Sequence, residues 1–300
     1  MKIAVTYNEK RSLDERDAEF DTRDAIDGVA RRVAALGHDV VAIDVTGSIA
    51  RLERELARAA PDVVLNFAEG ERGAFREAFY PALFAQLGLR CTGSAPSALA
   101  LCMDKQLAKR VVAAAGVDVP RDDGERVIVK PRFEGSSKGI TAASVMARGE
   151  LAAALPAARA RYPDGVIVEE LVPGIDVAVG WVAGLGLLPP MWARYDGEIY
   201  DYALKHVTPE RVQVVIPAPL APPVRAALDD AARRAFDALG VRGYGRADFR
   251  VSPAGRVVFL EMNPLPSLTF ATGHDELYAA AAAAGHDPPS LLSAILAAAG

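Results

Sequence analysis

Between Gly245 and Pro264 the chain reads GRADFRVSPAGRVVFLEMNP, an apolar stretch broken by Arg246, Asp248, Glu261 and Asn263. Ser252 to Gly255 form a turn sequence, so the stretch is expected to be a β-hairpin. Side chains alternate faces along a strand. With a four-residue turn, Arg246 falls opposite Glu261 and Asp248 opposite Phe259. All four polar residues then share one face, and Ala247, Phe249, Leu260 and Met262 take the other. A one-residue slip would split the set. Two carboxylates and an amide oxygen side by side repel one another unless a cation lies between them. Hard oxygen donors of this kind suit Mg²⁺ or Mn²⁺, which accept few protein ligands and share the rest with phosphates and water. A buried arginine–carboxylate network is the competing explanation, and the hairpin alone leaves both open.

Other segments carry groups suited to phosphate. VIVKPRFEGSSKGI sets Lys130 at the end of an apolar strand, ahead of a Gly/Ser loop. Such a loop can turn backbone N–H groups toward phosphate oxygens, and lysine adds a point charge. It is not a Walker A loop, because GxxxxGK[ST] is absent. VIVEELVPGIDVAV ends a strand at Glu169 and Glu170 and reaches Asp176 through a short apolar link. That link can hold a flat ring against Leu171 and Val172. MDKQLAKR puts Lys105 and Lys109 on one helix face. Taken singly, a polar turn, a solvated acidic loop and a solvated helix explain these three segments equally simply.

These groups need a frame. Residues 2–6 read as a buried strand, followed by a helix over about 22–36, the strand DVVAIDV, a helix over 48–59 and the strand DVVLNFAEG. Strands alternating with helices imply parallel pairing and an α/β domain. No GxGxxG follows the first strand, so a dinucleotide fold has little support. After CTGSAP a helical region over about 96–115 precedes RVIVK, the Gly/Ser loop and GVIVEELV. Later strands near 176–183, 212–216, 243–250 and 256–262 look antiparallel, with a helix over 222–239. The expected organisation is an α/β domain over 1–94 and α+β subdomains over 95–170 and 171–300. The 300 residues carry a net charge of −5, which argues against a broad nucleic-acid surface. Cys91 and Cys102 have no metal-ligand spacing, so a reducing cytoplasm is the expected home. The opening residues lack a signal-peptide pattern, and the run LYAAAAAAG is too short to cross a bilayer.

In order along the chain, CTGS with MDK, VIVKPRFEGSSKGI, VEELVPGIDVAV, YDYALKH, GRADFR and LEMNPLPSLT resemble the ATP-grasp superfamily. Within it they resemble the D-alanine–D-alanine ligase-like branch, and they span Cys91 to Thr269. The resemblance implies an α/β domain followed by two ATP-grasp subdomains. It implies that ATP phosphorylates one substrate's carboxylate and that a second substrate's amine attacks the acyl phosphate, forming an amide. By position, Asp248, Glu261 and Asn263 are the implied ligands of Mg²⁺ or Mn²⁺, two ions being expected. Arg246 would stabilise the oxyanion. Lys105, Lys130 and Lys205 would meet the phosphates of ATP. Glu134 to Gly139 would cover them, with Ser137 on the nucleotide side and Ser136 nearest the substrates. Glu169, Glu170, Val172 and Asp176 would hold adenine and ribose. Residues from about Asp196 to His206 would close over the site and exclude water. Partners are small amino-acid or amine substrates, with no nucleic acid and no membrane. Homodimerisation, common among the relatives, is a further implication. A nucleotide-binding regulatory protein without turnover is the alternative. Such a protein would be expected to lose one of the three metal ligands, and all three are present.

Four departures concern the substrates. Ser267 follows Pro266 where the branch has glycine, and its N–H can still serve the oxyanion if the backbone torsion suits serine. FATGHDELY replaces a segment whose serine binds the acceptor's carboxylate. Asp275 or Glu276 there would repel a carboxylate, so the acceptor is expected to lack one or to carry a cation. His206 follows Lys205 where these ligases commonly have tyrosine, and an imidazole titrating near neutrality can tune acceptor choice. A surface histidine is the plainer account. Glu19, in DAEFDTRDA, is the candidate grip on the first substrate's ammonium, with Asp21 or Thr22 as a helix cap. EGERGAFREA stands in place of the usual acidic Gly-rich loop.

Overall fold

The computed structural model describes residues 1–270 and 275–300. Residues 271–274 belong to FATGHDELY, so that part of the acceptor expectation lies outside the described residues.

A three-stranded parallel sheet opens the chain: β1 (Lys2–Tyr7) lies between β2 (Asp39–Asp44) and β3 (Val63–Phe67). Its near-continuous apolar strands fit burial on both faces. Helix α1 (Arg23–Ala35) presents Ile26, Val29 and Val33 as one stripe, and Thr22 caps it by accepting from the Ala25 N–H at 3.3 Å. Helix α2 (Ile49–Ala59) turns Leu52 and Leu56 inward and starts at a Ser48 cap. Helix α3 (Arg76–Gln86) had no clear periodic signal, and its Pro81 lies inside the helix.

The helical region expected over 96–115 is two helices, α4 (Pro96–Met103) and α5 (Lys105–Ala114). Asp104 breaks it. Its carboxylate accepts from the N–H groups of Gln106 and Leu107 and from Nε and Nη2 along one edge of Arg132, at 2.7 and 2.5 Å. That cap starts a new helix with Lys105 as its first residue. A small antiparallel sheet follows, β4 (Arg126–Pro131) between β5 (Val145–Ala147) and β6 (Val166–Glu170), backed by α6 (Leu151–Arg161).

The third sheet is antiparallel: β7 (Ile175–Val182), β8 (Gly186–Leu187), β9 (Met191–Arg194), β10 (Gln213–Val215), β11 (Tyr244–Val251) and β12 (Val257–Asn263). Helix α7 (Pro222–Leu239) covers one face with Leu228, Ala232, Ala235, Phe236 and Leu239, and it ends at Gly240 with φ 67°. Phe249 and Phe259 meet edge to face at 5.7 Å beneath it. Each such fully buried side chain contributes about 1.5–3 kcal/mol by leaving water. Helix α5 shares this core through Ala108 and Val112, although the chain order groups it with the phosphate loop.

Helices α8 (Glu276–Ala283) and α9 (Pro288–Ala297) return to the first sheet. Leu291, Leu292 and Ile295 join Ile3, Val5, Val29 and Val33 in one core, and Cys91 and Gly300 exchange backbone hydrogen bonds at 3.0 and 3.2 Å. Long-range return contacts of this kind hold the two ends of the chain around the space between the sheets. Among the described residues no helix is long and apolar enough to cross a membrane.

Candidate active site

The hairpin of β11 and β12 differs in register from expectation. Arg246 faces Asn263 and Asp248 faces Glu261. Two one-residue shifts produce this. The loop closes between Ser252 and Arg256, one residue wider than a four-residue turn, and an irregularity between Asp248 and Phe249 adds a second shift. Either alone would move the β12 carboxylate to the far side of the sheet. Together they restore the parity. Leu260, the residue skipped at the bulge, lines the cleft with Asp248 instead of joining Met262 in the core.

Two clefts meet over this hairpin. The first is largely apolar and is walled by Ile128, Ile140, Leu171, Val172, Met191, Ile199 and Leu260. The second, about 460 Å³, runs between the first sheet and the hairpin past Glu19, Glu69, Glu77, Ser136, His206 and Ser267. That volume falls in the range of small-molecule sites. Lys105, Tyr200, Lys205, Arg246, Glu261 and Glu276 line both, so the junction is rich in charge.

At the junction Arg246 holds Asp248 with Nε and Nη2 at 2.7 and 2.9 Å, and Asn263 Nδ2 donates to the same carboxylate at 2.9 Å. Lys105 Nζ lies 2.9 Å from Glu261 and also donates to the Glu134 carbonyl. The arginine–carboxylate network left open by the sequence is therefore present. It does not preclude a cation. Burial raises the Asp248 carboxyl, and Glu261 and Glu276 push it further up against the opposing pull of Arg246. Burial would also raise Glu261, but Lys105, Lys130 and Lys205 outweigh it and hold that carboxyl at about 2. An anion-rich patch of two carboxylates and an amide, still electrostatically unfavourable at Asp248, fits a hard divalent ion.

The Gly/Ser loop is latched on two sides. Ser136 and Ser137 both have left-handed backbones, φ 52° and 56°, which non-glycine residues seldom adopt outside functional loops. Ser137 Oγ donates to the Tyr200 carbonyl at 3.1 Å, and His206 Nε2–H donates to the Ser136 carbonyl at 3.0 Å. The Gly139 N–H reaches Glu15 in the first domain at 2.7 Å. Burial lowers the His206 imidazole below its usual value, against the help of the Ser136 carbonyl.

Lys130 closes β4 beside Glu169 at 3.1 Å. Glu169 was expected against the nucleoside, but it is buried between Lys130 and Lys109, 2.6 Å from the latter, and does not wall the cleft. Glu170 does wall it, while its carboxylate takes Arg256 at 2.7 Å and the Arg121 N–H at 3.0 Å. Asp176 accepts from Arg250 at 2.7 Å and from the Tyr195 hydroxyl.

Glu19 is clamped by Arg76 at 2.7 Å and Lys138 at 2.6 Å. Burial would raise its carboxyl, and these two cations overcome burial and bring it to about 2. Arg76 and Lys138 also reach Glu134, at 3.4 and 3.5 Å. Neither clamp residue was assigned a role from the sequence, although Lys138 lies in the Gly/Ser loop and Arg76 in EGERGAFREA, because nothing along the chain shows that they meet Glu19. Asp275, one of the two carboxylates expected near the acceptor, is buried and is not among the residues that line either cleft. It caps α8 by accepting from the N–H groups of Phe270 and Tyr278 at 2.8 and 2.9 Å. Glu276, the next residue, points into the junction and lies 2.6 Å from Arg246 Nη1. Ser267 lines the second cleft and is not among the residues with positive φ, so its backbone suits serine.

Residues 118–297 match the family described as D-ala D-ala ligase C-terminus. The chain is 34% identical over 312 residues to a D-alanine–D-alanine ligase of Pseudomonas entomophila, covering 99% of this chain and 92% of that one. It is 38% identical over 229 residues to the D-alanine–D-alanine ligase of Aromatoleum aromaticum, covering 71% and 72%. Among solved structures, the D-alanine–D-alanine ligase of Bacillus anthracis complexed with ATP has the same fold, with a TM-score of 0.78 at 20% identity over 99% and 97% of the two chains. The VanG D-Ala:D-Ser ligase of Enterococcus faecalis gives 0.74 at 20% identity, covering 98% of each.

Proposed function

The chain belongs to the D-alanine–D-alanine ligase family of ATP-dependent, amide-forming ATP-grasp enzymes, and from that premise we propose how its own residues divide the work. A catalytically silent protein of this fold is not favoured. The observation that carries the reading is the meeting of an apolar cleft and a polar cleft over one charged junction.

The apolar cleft takes adenine, with Val172 and Leu171 against the ring and Asp176 at the ribose. Lys105, Lys130 and Lys205 meet the phosphates, and the loop from Glu134 to Gly139 covers them with Ser137. Glu169 acts through Lys130 as a positioning residue. The first substrate enters the polar cleft with its ammonium toward Glu19 and its carboxylate toward the junction. Both reactants there are anionic, so their approach needs fixed cationic groups in a site of reduced dielectric. Asp248, Glu261 and Asn263 would hold Mg²⁺ or Mn²⁺, as two ions. When bound, such ions neutralise phosphate oxygens and polarise the transferred phosphoryl group.

The substrate's carboxylate oxygen takes the terminal phosphoryl group of ATP as the bond to ADP breaks. The second substrate's neutral amine then attacks the acyl carbon, a C–N bond forms, the C–O bond to phosphate breaks, and the nitrogen gives up a proton as phosphate leaves. Arg246 and the Ser267 N–H stabilise the oxyanion that forms. Ser136 and His206, joined across the closed loop, keep water from the acyl phosphate. The substrates are small amino acids or amines and need not be two D-alanines, since Glu276 and His206 stand in the acceptor region. We read the protein as cytoplasmic, as not binding nucleic acid given its net charge of −5, and as a homodimer.

The test is phosphate release with ATP and Mg²⁺ across D- and L-amino acids, amines and hydroxy acids. Release that depends on two added substrates is expected. Release independent of any second substrate, across the whole panel, would refute the reading.

A further inference from the structure

We propose that Arg250 is a positioning residue of the nucleotide site, holding the adenine-binding link, the ribose carboxylate and the start of the closing segment in one arrangement before ATP enters. The inference rests on the placement of adenine and ribose given above and extends it to a residue that has no role there. Arg250 is the second arginine of GRADFR and lies on β11 directly opposite Asp176 on β7. Facing residues of paired strands project to the same side of the sheet, so strand register brings these two side chains together. Arg250 is only 5% exposed, and it lines the apolar cleft beside Leu171, Val172 and Asp176.

The guanidinium serves three segments at once. Nε–H donates to the Val172 carbonyl at 3.1 Å and so fixes a peptide plane in the link between β6 and β7. Nη1 donates to Asp176 Oδ2 at 2.7 Å and to the Tyr195 hydroxyl at 3.2 Å, and that hydroxyl itself donates to Asp176 Oδ2. Nη2 donates to the Glu198 carbonyl at 3.0 Å, within the segment expected to close over the site. A planar group with donors in a fixed fork can hold three walls in register, which the single ammonium of a lysine cannot. Arg250 and Tyr195 both bond to Oδ2 of Asp176, which turns Oδ1 to a ribose hydroxyl. The Tyr195 ring stacks on Tyr200 at 5.5 Å, and the Tyr200 carbonyl accepts from Ser137, so the same frame continues to the phosphate loop. None of these bonds uses a residue assigned to the metal ions.

Binding to the full-length chain is measured by titration calorimetry with ADP, 2′-deoxy-ADP and 3′-deoxy-ADP in Mg²⁺, so the result does not depend on turnover. The parent is expected to bind ADP about thirtyfold more tightly than the analogue lacking the hydroxyl that meets Asp176, as for a hydrogen bond to a charged group. In Arg250→Met the dissociation constant for ADP should rise about tenfold and that discrimination should fall to about threefold or less, because Asp176 loses its fixed direction. Arg250→Lys keeps a buried cation, which covers the case in which the methionine variant fails to fold, and it should give an intermediate ratio. Because each ratio is taken within one protein, a general loss of affinity cancels. A discrimination unmoved in both variants would overturn the proposal and leave the ligase reading intact. A parent that binds all three nucleotides equally would overturn the proposal together with the placement of Asp176 at the ribose. Discrimination that collapses as expected, with no phosphate release for any substrate pair, would uphold the proposal and refute the ligase reading alone.

Discussion

Glu77 offers a direct measurement of the electrostatics of the substrate cleft. It lies on α3, faces the cleft and has no cation within ion-pairing distance among the described residues. Burial, and then Glu19, raise its carboxyl from 4.5 to about 7, with Arg76 opposing. The raised value means that the folded state binds this proton more tightly than the unfolded state. The ionised carboxylate therefore costs stability, and the cost grows as pH rises from the unfolded value toward 7 and is complete above it. Linkage gives about 3 kcal/mol at pH 8 and about 1 kcal/mol at pH 5. Solvation from the open side of the cleft reduces both by about half. Glu77→Gln removes the charge at every pH. Its melting temperature without ligands should exceed that of the parent by about 3–6 °C at pH 8, and by about 1–2 °C at pH 5. Scanning calorimetry at the two pH values checks this. An equal gain at both, or a loss at pH 8, would refute the reasoning, because Glu77 would then be acting as a needed hydrogen-bond acceptor.

Glu261→Gln should remove the partner of Lys105 and lower kcat by about a hundredfold or more; an unchanged kcat in steady-state assays would remove Glu261 from the site. At Gly135 an added Cβ would lie 2.4 Å from the Glu19 carboxylate, so Gly135→Ala should raise KM for the first substrate more than it lowers kcat. Equal effects on both parameters, or none, would count against Glu19 as the ammonium grip. His206 is held below its usual pKa by burial and is neutral at pH 7, so any limb of the pH–rate profile near pH 7 should survive in His206→Asn. Its disappearance would assign that limb to the imidazole.

Much of the fold was legible because its signals are local. The strands of the first sheet, the stripe on α1 with its Thr22 cap and the stripe on α7 ending at Gly240 follow from periodicity and capping within a few residues. The break at Asp104 was missed because the apolar pattern runs through it, while the carboxylate that makes it a cap is also drawn to Arg132, 28 residues away. Helices α8 and α9 carried too little polar contrast to declare a face.

The sequence by itself determined the family, the order of the motifs and the set of polar groups on the hairpin, because residue types and short spacings are written along the chain. The tertiary structure decided the partners. Glu19 meets Arg76 and Lys138 across separations of 57 and 119 residues, and Glu276 reaches Arg246 from another helix. It also set the register that keeps four polar side chains on one face, through two shifts that offset each other. Pairing energies fall off within a few ångströms, and distances that short between remote residues exist only once the chain has closed on itself.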